Sequence, residues 1–467
     1  MTTKAFYYFV ALLVSWCIAR LLHSARLRQW LWLTLSYALY AMWTPWFLAV
    51  LFVSSIANFA LANYLRRKPS PARLWTGITF NLLLLVSFKY VPPVAAQLGK
   101  FGPASMLATL ALPIGISFWT FQALSYLIDV YREDEGAPTL LEFCLFMSFW
   151  PIVLSGPICR LGRLLPQFRQ AASLTSARAV AALDRIMAGL LMMGLGQVLA
   201  NGMRYGQGID AAFDSPRMHW GGLDVWFLAI GYGFELFFNF AGYSHLVIGA
   251  ASLFGFQLPE NFAAPYFSQS PSEFWTRWHI SLSQWIRDYL FMPLATARRE
   301  KWWRNLALVI SMVVFGIWHK GTWLFLIWGA YQGVLLVLHR RWQEMVGGFN
   351  FARAPLLNLA SWLVTFCLMM LGWLFFRATD LGQALAMWHA IFSPRSYSHF
   401  ELPSSLYELI AVLAVSYFVA VLISRFVTRR VPVFGRFWIA RAGIYAVMLY
   451  VGLLHAAEPQ AFIYFQF

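Results

Sequence analysis

"LDVWFLAIGYGFELFFNFAGYSHLVIGAASLFGF" (residues 223–256) is apolar almost without interruption. One bilayer span takes about 20 residues of helix. The run is therefore too long for one straight span and predicts a kinked or double element in a membrane. Within it, "NFAGYSH" (239–245) sets His245 well away from either end.

Working outward, comparable runs fall near 5–22, 30–43, 46–64, 74–91, 105–130, 140–158, 184–200, 305–318, 322–339, 355–376, 405–426 and 437–455. Only 12% of the 467 residues are charged, against about 25% in soluble domains, and the mean hydropathy is +0.61. The class is an all-α polytopic membrane protein with about ten to eleven crossings. A β-barrel would show short alternating segments instead. No long polar stretch could build a separate soluble domain. No repeat of about 20–50 residues is visible, so neither a solenoid nor a duplicated transporter is supported.

The formal charge of +16 would suit nucleic acid, but its placement argues against that partner. "RRKPSPAR" (66–73), "ARREKWWR" (297–304) and "RRVPVFGR" (429–436) sit between apolar runs, as cytoplasmic loops do under the positive-inside rule. The start, "AFYYFVALLVSWCIAR" (5–20), lacks the basic lead and small-residue cleavage site of a signal peptide and reads as the first membrane helix. The basic loop after it, residues 19–29, is expected in the cytoplasm, with the N-terminus outside. Cys17, Cys144, Cys159 and Cys367 show no CxxC pairing, so no disulfide framework or metal site is indicated.

Two stretches break the membrane pattern. "LPIGISFWTFQALSYLIDVYRED" (112–134) opens with Pro and Gly, and "FWPIVLSGPICRLGRLLPQF" (149–168) sets Pro and Gly beside Arg160 and Arg163. Irregular backbone at membrane depth survives only when buried in protein or lining a wet cavity. These stretches are either cavity walls or helix ends at the cytoplasmic surface.

"FWTRWHISLSQWIRDYL" (274–290) spaces Trp275, Trp278, Leu282, Trp285 and Tyr289 at i+3 and i+4. That spacing predicts one amphipathic helix with an aromatic stripe, with His279 at the border between its faces beside Thr276 and Ser283. "FGIWHKGTWLFLIWGAYQG" (315–333) interrupts two apolar runs with His319 and Lys320. Ionisable groups at this depth face the protein interior and mark function, although a lone histidine also serves as a helix–helix hydrogen-bond partner. Lys320 either snorkels to the interface or disfavours protonation of His319 through its like charge. No HExxH, Walker loop or GxSxG occurs. Paired membrane histidines suit general-base acyl transfer to an alcohol, and a proton-coupled transporter would use them too.

The segments above, with "NFAGYSHLVIGAASLFGFQLPENFAAPYFSQSPSEFWTRWHISLSQWIRDYLFMPL" (239–294), "GWLFFRATDLGQAL" (372–385) and the terminal "FIYFQF", resemble the membrane-bound O-acyltransferase (MBOAT) family. The likeness is nearest to the bacterial branch that contains the alginate O-acetylation membrane protein. It runs in order over roughly residues 30–467. It implies one integral domain over 1–467, less well matched in 1–100, with a catalytic core at about 110–340. It implies a helical bundle with re-entrant or interfacial helices around a central funnel, in the bacterial inner membrane.

The resemblance points to His319 as the principal catalytic residue and His279 as its companion. Arg277, Ser281, Arg287, Asp288, Trp318, Lys320, Asn239 and Tyr243 are expected to contact substrate. Arg160 and Arg163 are expected to attract the donor's phosphates from the cytoplasm. No cofactor is bound; acetyl-CoA is the expected acyl donor. The expected partners are membrane lipids, a polysaccharide acceptor (alginate-like, cellulose or another surface glycan) and a periplasmic SGNH-type acetyltransferase or esterase. The alternatives are a transporter of glycans or lipid-linked sugars, or the same fold moving D-alanyl or another acyl group. The chain departs from the family pattern at Asn239 and His245, where acids stand, and at Lys320, where a glycine stands.

Overall fold

The computed structural model describes residues 3–42, 45–98, 109–133, 136–170, 174–203, 206–215, 220–347 and 355–430, with isolated helical positions between 443 and 448. The run at 437–455 falls almost wholly outside the described residues, and the terminal "FIYFQF" entirely so. Most of those described are helical, with no strand among them. Six helices (45–67, 71–89, 176–201, 222–253, 355–377 and 404–424) are long and apolar enough to cross a bilayer. The chain forms two compact units, Met1–Asp184 with Val247–Pro259, and Arg185–Leu246 with Glu260–Phe467.

The first unit holds α1 (Thr3–Leu21), α2 (Ala25–Ala41), α3 (Pro45–Arg67), α4 (Pro71–Lys89), α5 (Val91–Leu98), α6 (Ile116–Tyr131), α7 (Leu140–Ser148) and α8 (Leu161–Arg169). Local chemistry sets the boundaries. Ser70 caps α4, with Pro71 in its first turn. Thr139 and Glu142 form a reciprocal capping box on α7, satisfying donors the helix start would leave open. The apolar run over 140–158 is helical only to Ser148; the irregular backbone expected from 149 follows, with Pro151 in a turn and Gly156 in a bend. Those turns are buried. Gly115, at φ +76°, lies so close to the Val153 carbonyl that a Cβ there would be 2.0 Å from the oxygen. Inside the α3–α4 hairpin, Asn58 and Asn81 exchange amide hydrogen bonds of 3.1 and 2.7 Å.

One end of this unit is basic. Arg66, ending α3, donates to the Gly136 carbonyl before α7 (2.8 Å). Gln29 of α2 donates to the Phe168 carbonyl (3.2 Å), and Arg169 of α8 pairs with Glu142 of α7 (2.7 Å). These contacts gather the α1–α2 and α3–α4 turns at the same end as α8.

The helix α9 (Ser176–Asn201) runs from the first unit into the second, which continues with α10 (Ile209–Phe213) and most of α11 (Gly222–Leu253). α11 is one continuous helix of 32 residues, about 48 Å long. Of the two alternatives expected over 223–256, the double element is therefore corrected to a single helix. No proline interrupts the run, and 83% of its apolar window is buried, so protein rather than lipid surrounds it. At its start the buried Asp224 accepts from the backbone of Gly221, Glu401 and Leu402 and from the Tyr407 hydroxyl. Along its length it meets α9 at bare backbone, where a Cβ on Gly189 would lie 2.6 Å from the Gly242 carbonyl oxygen. Small residues permit such close helix approach in membranes.

The rest of the second unit comprises α12 (Pro271–Arg277), α13 (Ile280–Ile286), a π turn (Arg287–Phe291), α14 (Met292–Thr296), α15 (Lys301–His319), α16 (Trp323–Val346), α17 (Pro355–Arg377), α18 (Leu381–Phe392) and α19 (Ser404–Arg430).

Candidate active site

The segment expected as one amphipathic helix over 274–290 is broken. Ser270 caps α12, accepting from the Glu273 amide (3.1 Å), with Pro271 in the first turn. α12 ends at Arg277, and His279 adopts φ +41°, ψ +55°. A non-glycine residue in this left-handed region costs about 1–2 kcal/mol and persists only where its surroundings over-determine it. Asn261 supplies that constraint. Its carbonyl accepts from the Ile280 amide (2.9 Å), its Oδ1 accepts from the Ser281 hydroxyl (2.6 Å), and its Nδ2 donates to Ser244 of α11 (3.2 Å). The Ala263 amide adds a bond to the Arg277 carbonyl (3.0 Å). Both halves keep their i+3/i+4 spacing, so periodicity alone could not reveal the break.

The break buries the histidine. His279 is 1% exposed and meets the edge of Phe240 on α11, ring centres 4.5 Å apart. Its place on a border between two faces is corrected: Thr276 points to the exterior, and the Ser283 hydroxyl is spent on the Trp278 carbonyl (3.1 Å).

His319 is the last residue of α15 and 2% exposed. The α15–α16 hairpin is drawn tight by glycine: a Cβ on Gly316 would lie 2.1 Å from the Phe325 carbonyl oxygen, and one on Gly329 2.3 Å from that of Met312. Aromatic rings surround the imidazole, with centres at 4.7 Å (Phe315), 4.8 Å (Trp318), 5.1 Å (Phe376) and 5.6 Å (Trp328). The next three residues, Lys320–Thr322, are exposed. The imidazole is thus one residue inside the surface, at a helix end.

The two histidine segments share one aromatic cluster. Trp275 of α12 packs against Phe315 (5.4 Å) and Trp328 (6.0 Å) of the His319 surround. Trp278, next to His279, packs against Trp373 (4.9 Å), which packs against Phe376 (5.6 Å). Rings packed in this way fix the position of both segments and exclude water.

The other expected site residues divide. Trp318 lies against His319, and Ser281 is locked to Asn261 beside His279. Arg277 is spent on Glu273 (2.6 Å), Arg287 is exposed and paired with Asp288 (2.7 Å), and Lys320 is exposed past the end of α15. Asn239 packs its amide against Gly196 of α9, and Tyr243 is half-buried farther along α11. Arg160 and Arg163 belong to the first unit, half-buried and exposed respectively.

Asn261 was missed by the sequence reading. Its signal was present, an amide between the prolines of "LPENFAAP", but nothing local shows that both side-chain ends are used. Asn261→Ala should lower stability by about 1–3 kcal/mol, the cost of stranding buried partners, and lower turnover with it. Thermal unfolding in detergent alongside turnover checks this. An unchanged melting temperature would mean that the His279 turn is set elsewhere.

The model of the MBOAT, membrane-bound O-acyltransferase family matches residues 30–377. The chain is 35% identical over 384 residues to the "Probable alginate O-acetylase" of Azotobacter vinelandii, covering 80% of this chain and 74% of that protein. It is 35% identical over 392 residues to the protein of the same description from Pseudomonas aeruginosa, covering 82% and 73%. It is 32% identical over 392 residues to the "Peptidoglycan O-acetyltransferase" of Helicobacter pylori, covering 76% and 72%.

Proposed function

We propose, on the premise that this chain belongs to the membrane-bound O-acyltransferase family, that it moves acetyl groups from acetyl-CoA across the bacterial inner membrane for O-acetylation of an extracytoplasmic polysaccharide. The observation that carries the reading is the pair of buried histidines on one aromatic cluster, His319 at a helix end beside exposed backbone. The relatives named above are O-acetylases of two different glycans, so the acceptor is assigned only as a glycan hydroxyl, alginate-like, cellulosic or other.

In the reaction the acceptor oxygen attacks the thioester carbonyl, the carbon–sulfur bond breaks, and CoA leaves as the thiol. His319 takes the hydroxyl proton during attack and returns it to the departing sulfur. A positioned base of this kind contributes about 10²–10⁴-fold. His279 orients the reacting groups from the neighbouring turn. The aromatic walls keep water from the thioester, which would otherwise be hydrolysed.

On this reading the basic end of the first unit faces the cytoplasm. Arg160 and Arg163 in the first unit, and the 297–304 loop in the second, each attract the phosphates of CoA, as positive surfaces concentrate anions. A periplasmic SGNH-type protein supplies the hydroxyl that attacks the thioester; a polysaccharide hydroxyl then attacks the resulting acetyl ester, takes the acetyl group and frees the partner's hydroxyl.

The test is donor choice. Purified protein with acceptor glycan, and with the SGNH partner added, should release CoA thiol from acetyl-CoA in step with acetyl-ester formation. Ester formation only from a D-alanyl or long-chain thioester would move the protein to the acyl-transfer alternative. Glycan uptake into vesicles without any ester would move it to the transporter alternative.

A further inference from the structure

We infer that the first unit carries a binding site for one anionic phospholipid, with its phosphate between Arg20 and Arg28 and its acyl chains along α1. A cavity of about 50 Å³ opens there among α1, α2, α8 and the turn that follows α11. Its lining includes Trp16, Arg20, Arg28, Trp32, Gln167 and Phe254, and no acidic side chain.

The cavity is built rather than incidental. The Trp16 indole N–H donates to the Leu253 carbonyl (2.9 Å), pinning α1 over the opening. The Arg20 guanidinium lies over the Trp16 ring, 4.8 Å from its centre. Arg28 uses one terminal nitrogen on the Leu22 and His23 carbonyls (3.0 and 3.3 Å), which fixes the α1–α2 turn and sets the planar head at the rim. Trp32 forms the floor, edge-on to Phe254 and Phe256 at 5.1 and 6.0 Å. Gln167 is held by the backbone of Gln257.

Two guanidinium groups over an aromatic floor suit a phosphate carried on an apolar body, since arginine forks match phosphate oxygens. Basic pockets between membrane helices at a cytoplasmic surface bind anionic headgroups, and this pocket is at the basic end of the unit. α1 turns Leu13, Val14, Ile18 and Leu21 outward, with Leu21 76% exposed. Leu13 lies on the same line of the helix as Arg20, two turns before it, so hydrocarbon contact is offered along α1 from the charged rim. A soluble phosphate compound would have no use for it. Glu142, which Gln29 of α2 reaches, is engaged by Arg169 and so does not oppose an anion here.

The full-length protein in detergent, titrated with dioctanoyl phosphatidylglycerol and read by native mass spectrometry, tests this. One saturable lipid should bind, with phosphatidylethanolamine at least about fivefold weaker. Arg20→Gln should weaken phosphatidylglycerol about fivefold, and the Arg20→Gln/Arg28→Gln pair about tenfold or more. The Arg20→Lys/Arg28→Lys pair should stay within about threefold, because the charge is kept. Because Arg28 also holds a turn, Arg20→Gln alone decides if the double variant misfolds. Equal binding of the two lipids, or wild-type binding by Arg20→Gln, would overturn the site. Displacement of the lipid by inorganic phosphate or CoA at millimolar concentration would reassign the pocket to a soluble phosphate and overturn the lipid.

Discussion

His319→Ala should abolish acetyl transfer while the protein still inserts and purifies as the wild type does. The imidazole sits within the ring cluster formed by Phe315, Trp318, Trp328 and Phe376, and loss of a positioned base lowers turnover by about 10²–10⁴-fold. The truncation also leaves a small void in a dense aromatic surround, which costs stability but does not unfold a chain of this size. His319→Gln, which keeps much of the volume and a hydrogen-bonding end, separates the two effects: it should restore stability and not turnover. Turnover is measured at matched protein levels with saturating acetyl-CoA. Retention of more than about a tenth of wild-type activity in either variant would remove the general-base role.

The second large effect is at His279, where backbone and side chain make separate demands. Its left-handed conformation favours residues such as asparagine, which visits that region readily, so His279→Asn should leave the turn and the melting temperature close to wild type. His279→Ala asks a β-carbon residue without a compensating polar group to hold φ +41° and should cost stability as well. Both should lose turnover, by at least about tenfold, because each removes the imidazole that sits beside Phe240. Turnover and thermal unfolding measured together distinguish the roles. Full turnover in His279→Asn would show that His279 serves the turn and not the reaction.

The class of fold was legible because burial in lipid leaves a strong, local mark: long apolar runs and basic turns. His279 and His319 were legible as ionisable residues where such residues are costly. What periodicity does not carry is tertiary constraint. The helix over 274–290 breaks at His279 because Asn261 takes the Ile280 amide and the Ser281 hydroxyl, a relation across some twenty residues that the i+3/i+4 pattern on either side conceals. The run at 223–256 stays one helix over Gly222–Leu253, packed against α9 glycines and largely buried, so its length did not have to match a bilayer. Several charged candidates failed to gather for a related reason: Arg277 and Arg287 satisfy themselves with Glu273 and Asp288 close by in sequence. Conversely, the rings that join the two histidine segments, Trp275, Trp328 and Trp373, looked in sequence like any other membrane aromatics.

The central claim, passage of an acetyl group from a cytoplasmic donor to the far side, is tested most directly by sidedness. Inside-out membrane vesicles carrying the protein, with acceptor glycan and the SGNH partner sealed in the lumen, are given acetyl-labelled acetyl-CoA outside. Labelled ester should form on the enclosed glycan while intact acetyl-CoA stays outside, and none should form with His319→Ala. Labelled ester formed only on glycan added outside, or equal labelling of the lumen by His319→Ala, would contradict it.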